Sequence, residues 1–497
     1  MLFNSPTFVL FAPIVWLVWW SLGRSVLTNR RYRLLVMVML SSSFVFYCWQ
    51  GRLGSILVHF FLMLSYCVVG WAVGRSLGRT RRKAVLVLGI VFSLGVLCFF
   101  KYADMLLRTL AGLLRLSGAA YRPSLLDILL PIGISFYAFT MIAYIVDVYR
   151  GHARAENSFL RVALFLSFYP QLVSGPILRA DDFLTHLSSK TLPTHPDSVM
   201  EATKLICRGF FKKMVLADRI ALAVDPFFAD VTGAWVTSGE IAWSLPFLWL
   251  YAFQIYFDFS GYTDIARGVG LMFGFRWPLN FNLPYLARNI REFWQRWHMT
   301  LSLFLRDYLY IPLGGSQCGR LRGLANVMIT MLLGGLWHGA SWSFMIWGGL
   351  QGLYLCAYRV WSWTSLHRRM NRIGGAGRFV YHWFSVLLTF HLVCFAWAFF
   401  RITDFREALL CAGRIFTWTR AFPGGAGDVS LWLLLGAYGL LSVVVAVSRS
   451  ARFTTVRERI PAALRTGFAF GFWAGLFLLC WVLSPAPEGR PFIYFQF

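Results

Sequence analysis

Acidic side chains are scarce in this 497-residue chain: 21 Asp and Glu stand against 47 Lys and Arg, and charged residues make up only 14% of it. Soluble domains carry about 25% charged residues, so that class is excluded for the bulk of the chain. Lysine is rarer still, at positions 83, 101, 190, 204, 212 and 213. Nine Cys are present, none in a Cys-x-x-Cys pair, and most lie within apolar runs. That pattern gives neither a disulfide framework nor a zinc site, and the thiols read as small buried hydrophobes. No Gly-x-Ser-x-Gly elbow occurs, since Gly339-Ala-Ser341-Trp-Ser343 breaks it at the last position. Gly268-Val-Gly270-Leu-Met-Phe-Gly274 misses the dinucleotide-binding glycine spacing by one residue. A cleavable signal peptide is not expected, because the first apolar run has neither a basic start nor a small-residue cleavage site after it. No repeat period and no low-complexity tract are visible.

What is abundant is apolar: 58% of the residues are hydrophobic, and the mean hydropathy is +0.61. A bilayer core of about 30 Å takes about 20 apolar residues to cross. Candidate spans fall near 7–23, 33–49, 55–74, 84–100, 128–147, 159–178, 204–223, 241–260, 324–343, 344–358, 379–400, 430–448 and 466–484. The expected fold is therefore all-α and polytopic, with roughly eleven to thirteen transmembrane or re-entrant helices. The net charge of +26 does not point to nucleic acid. Its Arg-rich clusters sit in short loops between apolar spans, the positive-inside pattern. Placing them all in the cytoplasm puts both chain ends outside.

The whole chain, 1–497, reads as one membrane-embedded domain. Residues 1–125 form scaffold helices, 126–358 carry polar interruptions and read as the core that holds any functional site, and 359–497 return to ordinary spans, with an interfacial helix near 404–418. Pro131 and Gly133 open a span, and Phe168-Tyr-Pro-Gln-Leu-Val-Ser-Gly-Pro-Ile177 puts two prolines and a glycine at membrane depth. Broken backbone there requires protein or a water-filled cavity to satisfy it.

His338 lies in a stretch, Leu324–Tyr358, that lacks Asp, Glu, Lys and Arg. An ionisable ring inside a span marks a candidate functional site, although a neutral, hydrogen-bonded structural His is the competing reading. Asp258 and Asp264 end an apolar run, and Asp264 and Arg267 are spaced to pair on one helix face. Ile290, Phe293, Trp294, Trp297, Leu301, Phe304, Leu305 and Tyr308 follow helical spacing, with Arg288, Arg291, Glu292 and Arg296 opposite. That describes a single amphipathic interfacial helix, with His298 on the boundary of its faces and Pro312 beyond its end. Its arginines suit either lipid headgroups or the phosphates of a substrate. A His near pKa 6.5 suits general base catalysis. Two His without a third ligand are a weak metal signal, and no metal is expected.

At these residues the sequence resembles the membrane-bound O-acyltransferase (MBOAT) family, in its bacterial branch around the alginate O-acetylation membrane subunit. The matching stretches include Gly133 to Phe139, Tyr144 to Gly151, Tyr169 to Ile177, Phe257 to Ala266, Arg291-Glu-Phe-Trp-Gln-Arg-Trp-His298, Leu305 to Gly315 and Gly334-Gly-Leu-Trp-His338-Gly-Ala. The chain end, Phe492 to Phe497, also looks like that branch. Pro278-Leu279-Asn280-Phe281 departs from it, with Leu279 where an acidic residue is expected.

By this resemblance His338 matches the intramembrane catalytic histidine and His298 the second histidine of the branch. Asn280, Asp307 and Tyr310 match motif positions. With Trp337, Arg291 and Arg296 they make up the expected substrate-binding set. The implied reaction moves an acetyl group from a cytoplasmic thioester, acetyl-coenzyme A, to a hydroxyl of an extracytoplasmic polysaccharide, alginate-like before others, or to a periplasmic or membrane-anchored partner transferase. No permanently bound cofactor is implied. Peptidoglycan O-acetylation and D-alanylation-type transfer are alternatives. A polysaccharide or lipid transporter without catalysis is an alternative of another class.

Overall fold

The computed structural model describes residues 1–23, 28–49, 53–118, 121, 123, 125–126, 130–172, 175–188, 196–229, 244–413, 415, 436, 462–485 and 490–493. The expected span 430–448, except residue 436, and the last four residues of the chain lie outside them. Every regular element among the described residues is helical. By length and composition, five helices among the described residues are able to cross a membrane: Pro6–Gly23, Asn29–Cys48, Ser55–Thr80, Lys83–Leu116 and Gly375–Arg401. Other expected spans emerge as shorter or more polar helices folded inside this set. The 159–178 run stops at Phe168 and resumes as the single turn Tyr169–Leu172, so it is not one span. The 204–223 run is a chain of three pieces, Pro196–Phe210, a π-helical stretch Phe211–Ala217, and Asp218–Ala229.

Polar residues explain the difference. The Leu245–Met272 helix is almost entirely buried within the protein. Its Asp264 accepts from Arg208 at 2.7 Å and Lys212 at 2.8 Å, while the expected Arg267 partner is at 3.9 Å. Asp258 pairs with Lys213 at 2.5 Å and accepts the Ile493 N–H at 2.7 Å. These carboxylates are satisfied by neighbouring helices, which ties the inner helices together and fixes the segment Arg490–Ile493 against them. Buried charge is tolerated in this way when it is paired and hydrogen-bonded.

The expected broken backbone is present. Gly133 sits in the left-handed region at φ 75° and caps the Ile134–Arg150 helix. A Cβ there would run into the Leu172 carbonyl oxygen, so the two broken segments meet at a point that only glycine permits. Within the stretch 404–418 a short helix runs Phe405–Gly413, and residues 414 and 416–418 lie outside the described residues. All nine Cys are free thiols; five are buried, and Cys98 and Cys318 are exposed.

Contacts among the basic residues define one face of the molecule. Arg150 donates to the Asp307 carbonyl at 3.0 Å, and Arg179 pairs with the Asp307 carboxylate. Arg359 bonds Tyr310 at 3.0 Å, and Arg320 lies over Trp363. Two long helices, Lys83–Leu116 and Arg320–His338, start at or near this basic face.

Candidate active site

His338 is the last residue of the Arg320–His338 helix, and Gly339 beyond it is extended. The chain then turns at Ser341 into the Trp342–Trp363 helix. The expected spans 324–343 and 344–358 therefore meet earlier than hydropathy suggests. The two helices cross closely, because a Cβ on Gly335 would lie 3.0 Å from the Gly348 Cα. Small residues permit such approach between membrane helices. At 1.5 Å per residue, His338 lies about 27 Å from Arg320 along its helix, deep within the protein.

The His338 ring sits edge-on to Trp347 at 5.0 Å and Phe400 at 5.3 Å, and next to Trp337 at 5.0 Å. The far side of Trp337 faces His298, with ring centroids 6.2 Å apart. Trp337 also stacks on Phe139 at 5.1 Å, which fixes the indole between the two imidazoles. His298, Trp337 and His338 thus form one buried group, with His298 fully shielded from solvent and His338 5% exposed.

The interfacial-helix reading of residues 290–308 requires correction. The segment is a turn of helix Ile290–Trp294, a break, the helix Met299–Leu305, and a π-helical turn Arg306–Tyr310. His298 stands at the break with φ 42°, a left-handed conformation rarely adopted by a non-glycine residue. It is buried, not at an interfacial boundary. Asn280 explains why. Its carbonyl accepts the Met299 N–H at 3.0 Å. Its Oδ1 accepts the Thr300 N–H at 3.1 Å and the Thr300 hydroxyl at 3.0 Å, and lies 3.3 Å from His298 Nδ1. Donors that a continuous helix would satisfy are taken instead by Asn280. An Nδ1–H donating to Asn280 leaves Nε2 as the basic nitrogen, a tautomer assigned from the network. Nε2 makes no hydrogen bond among the described residues.

A cavity of about 750 Å³ opens at the basic face, lined among others by Arg291, Arg306, Tyr310, Met331 and Arg359. Val327 and Met331 line it and share the helix face that ends at His338, as the spacing of four and seven residues requires. His338 itself does not line the cavity. Gly334, against Leu305, lies between Met331 and His338 on the same helix.

The expected binding residues separate into four sets. Arg291 and Tyr310 line the cavity. Arg296 does not; it pairs with Glu292 at 2.7 Å. Burial pushes the Glu292 carboxyl up, but the Arg288 N–H and the Arg296 and Arg288 side chains hold it below its ordinary value. Asp307 is ion-paired by Arg179 and by Arg306, and belongs to the rim. Asn280 and Trp337 belong to the histidine group. Sequence reasoning gave no functional role to Lys101, Asp147 or Tyr308. The Tyr308 hydroxyl donates to Asp147 at 2.7 Å. The lone Lys101 past an apolar run was the available signal.

A family profile described as "MBOAT, membrane-bound O-acyltransferase family" matches residues 150–399. The "Probable alginate O-acetylase AlgI" of Pseudomonas putida is 35% identical over 519 aligned positions, covering 100% of both chains. The protein of the same name from Pseudomonas aeruginosa is 39% identical over 82% of this chain and 73% of that one. The "Peptidoglycan O-acetyltransferase" of Helicobacter pylori is 34% identical over 82% of this chain and 78% of that one.

Proposed function

Because the chain belongs to the membrane-bound O-acyltransferase family and is an O-acyltransferase, we propose that it carries an acetyl group from cytoplasmic acetyl-coenzyme A to a hydroxyl of an extracytoplasmic polysaccharide. An alginate-like exopolysaccharide is the first acceptor to test, reached directly or through a partner transferase outside the inner membrane. The observation that carries this reading is the arginine-lined cavity whose wall continues up one helix face to a buried pair of histidines bridged by Trp337.

In this reading Arg291, Arg306 and Arg359 meet the phosphates of the donor, for which guanidinium forks are suited. The thioester arm extends past Met331 toward His338. His338 accepts the proton of the attacking hydroxyl as its oxygen bonds to the acetyl carbonyl carbon. The carbon–sulfur bond then breaks, and the proton passes to the departing thiolate. The products are the O-acetyl ester and free coenzyme A. His298, held by Asn280, supports this proton traffic across Trp337. The ring environment excludes water, which protects the thioester from hydrolysis.

The test is coenzyme A release and acetyl transfer to mannuronate oligomers by purified protein, beside His338→Ala. A general base contributes typically about 10²–10⁴-fold. His338→Ala is expected to lose at least that factor while remaining monodisperse. A folded, fully active His338→Ala protein would remove the catalytic assignment, and binding of polysaccharide without any acetyl transfer by the wild type would favour a transporter.

A further inference from the structure

The C-terminal end of a helix leaves carbonyl groups without intrahelical partners. In the Arg320–His338 helix those carbonyls belong to the catalytic histidine and the residues just before it. Their partners come from one turn of the Lys83–Leu116 helix. The Lys101 ammonium donates to the Trp337 carbonyl at 2.5 Å and to the His338 carbonyl at 3.0 Å. The Tyr102 hydroxyl donates to the Leu336 carbonyl at 2.7 Å. The apolar span expected to end at residue 100 thus continues through Lys101 to Leu116.

A lysine is an expensive way to cap a helix at this depth. Lys101 lies about 27 Å along its helix from Lys83. No ion pair between it and a carboxylate is formed among the described residues; two carbonyl dipoles face the ammonium, and Asp104, one turn along the helix, lines the same small cavity. The negative end of a helix dipole favours a cation, by about 0.3–1 kcal/mol at exposed sites and up to about 2 kcal/mol in partly buried geometries. A neutral donor such as the adjacent Tyr102 does the hydrogen-bonding work without that desolvation. What the ammonium adds is two bonds at once, to consecutive carbonyls on either side of the His338 Cα–N linkage. That fixes the peptide plane from which the imidazole projects. Two of its three donors are used. Lys101 also lines a second cavity, of about 210 Å³, with Phe99, Phe100, Asp104, Leu130 and Ala340.

We propose that Lys101 is the positioning residue for His338, holding the backbone of the general base through the Trp337 and His338 carbonyls. This rests on the acyl-transfer reading above. Catalytic groups must be held within about 0.5 Å of their productive geometry, and a misplacement of about 1 Å costs on the order of 10²-fold. Binding of the donor, made at the arginines of the opposite cavity, does not depend on this clamp.

The experiment compares wild type, Lys101→Met, Lys101→Arg, Tyr102→Phe and His338→Ala, with acetyl-coenzyme A as the probe and coenzyme A release as the readout. Thermal melting and monodispersity are followed in parallel. Lys101→Met is expected to lower kcat by about tenfold or more, with the KM for acetyl-coenzyme A within about twofold of wild type. Lys101→Arg, which keeps two donors, is expected to recover part of kcat. Tyr102→Phe, one carbonyl further from the histidine, is expected to change kcat less. A folded Lys101→Met protein with wild-type kcat overturns the proposal. So does a loss that follows melting temperature alone, with activity per folded molecule retained. Should Lys101→Met fail to insert, Lys101→Gln is read by the same two criteria. Wild-type turnover that survives in His338→Ala strikes the role of His338 on which the clamp depends, and a wild-type protein that releases no coenzyme A strikes the acyl-transfer reading itself, whereas an inactive His338→Ala beside a fully active Lys101→Met strikes only the role of Lys101.

Discussion

Asn280 and His298 are separated by eighteen positions in sequence and by 3.3 Å between Oδ1 and Nδ1. The same Asn280 oxygen takes both donors of Thr300. One side chain therefore sets the tautomer of an imidazole and the break in the helix that carries it. Replacing Asn280 by Ala leaves the Thr300 amide and hydroxyl buried without their acceptor, at a cost of about 1–3 kcal/mol for each stranded group. Asn280→Ala is expected to lower the melting temperature and, per folded molecule, to slow acetyl transfer by about tenfold or more as His298 loses its orientation. Activity normalised to the folded fraction, measured beside the melt, checks both parts. Unchanged normalised activity would reduce Asn280 to a structural role.

His298→Ala follows from the same burial. An interfacial histidine would leave room for water to substitute for it. This one is 0% exposed and enclosed by Phe259, Phe281 and Trp337. The substitution opens a cavity lined largely by aromatic rings, which stays dry when apolar. The expected loss of acetyl transfer is thus close to that of His338→Ala, on the order of 10²-fold or more. Adding free imidazole to the His298→Ala protein is the check: rescue by imidazole supports a chemical role, and an activity close to wild type without it rules one out.

His338 was legible because a titratable ring stands alone in an apolar stretch, and Gly133 because a glycine after a proline marks a break. The split of residues 290–308 was not. Its apolar residues keep helical spacing through the break, and what interrupts the helix is Asn280, contributed by a loop that periodicity does not reach. Lys101 was missed for a related reason. Composition ends a span at a lysine, but the partners that let the helix continue lie 236 and 237 residues away. Arg296 shows the opposite error: its place beside Arg291 in sequence suggests a shared task, while a helical turn directs it to Glu292.

The common face of Arg81, Arg150, Arg179 and Arg359 gives the topology a sharper test. A Cβ on Gly151 would lie 3.3 Å from the Arg81 guanidinium, which joins the loop after Thr80 to the rim around Asp307. Single cysteines at residues 80 and 322 are expected to label from the cytoplasmic side, and one at residue 490 from the outside. Labelling of 80 and 490 from the same side overturns the orientation.

Arg291 and Arg296 are expected to separate in kinetics as they do in space. Arg291 is exposed and lines the cavity at the basic face. Removing its charge takes a phosphate contact from the donor and leaves the protein core untouched, since surface changes usually fall within about 0.5 kcal/mol of stability. Arg291→Gln is therefore expected to raise the KM for acetyl-coenzyme A several-fold with kcat nearly unchanged, an effect that weakens with salt as exposed charge interactions do. Arg296→Gln removes the 2.7 Å bond to Glu292 and the 3.4 Å contact with the Asn282 carbonyl. Asn282 lies two residues from Asn280, so the disturbance travels toward His298 instead of the cavity. Its expected signature is a modest fall in kcat and in melting temperature, with KM unchanged. Glu292, whose carboxyl the arginines keep ionised, links the two: its support is present above its unfolded pKa of about 4.3 and fades as pH falls through its lower folded value. Saturation curves for both variants at two salt concentrations decide the matter. A KM that rises equally in both would return Arg296 to the donor site, and a KM that moves in neither would assign the whole basic face to lipid headgroups.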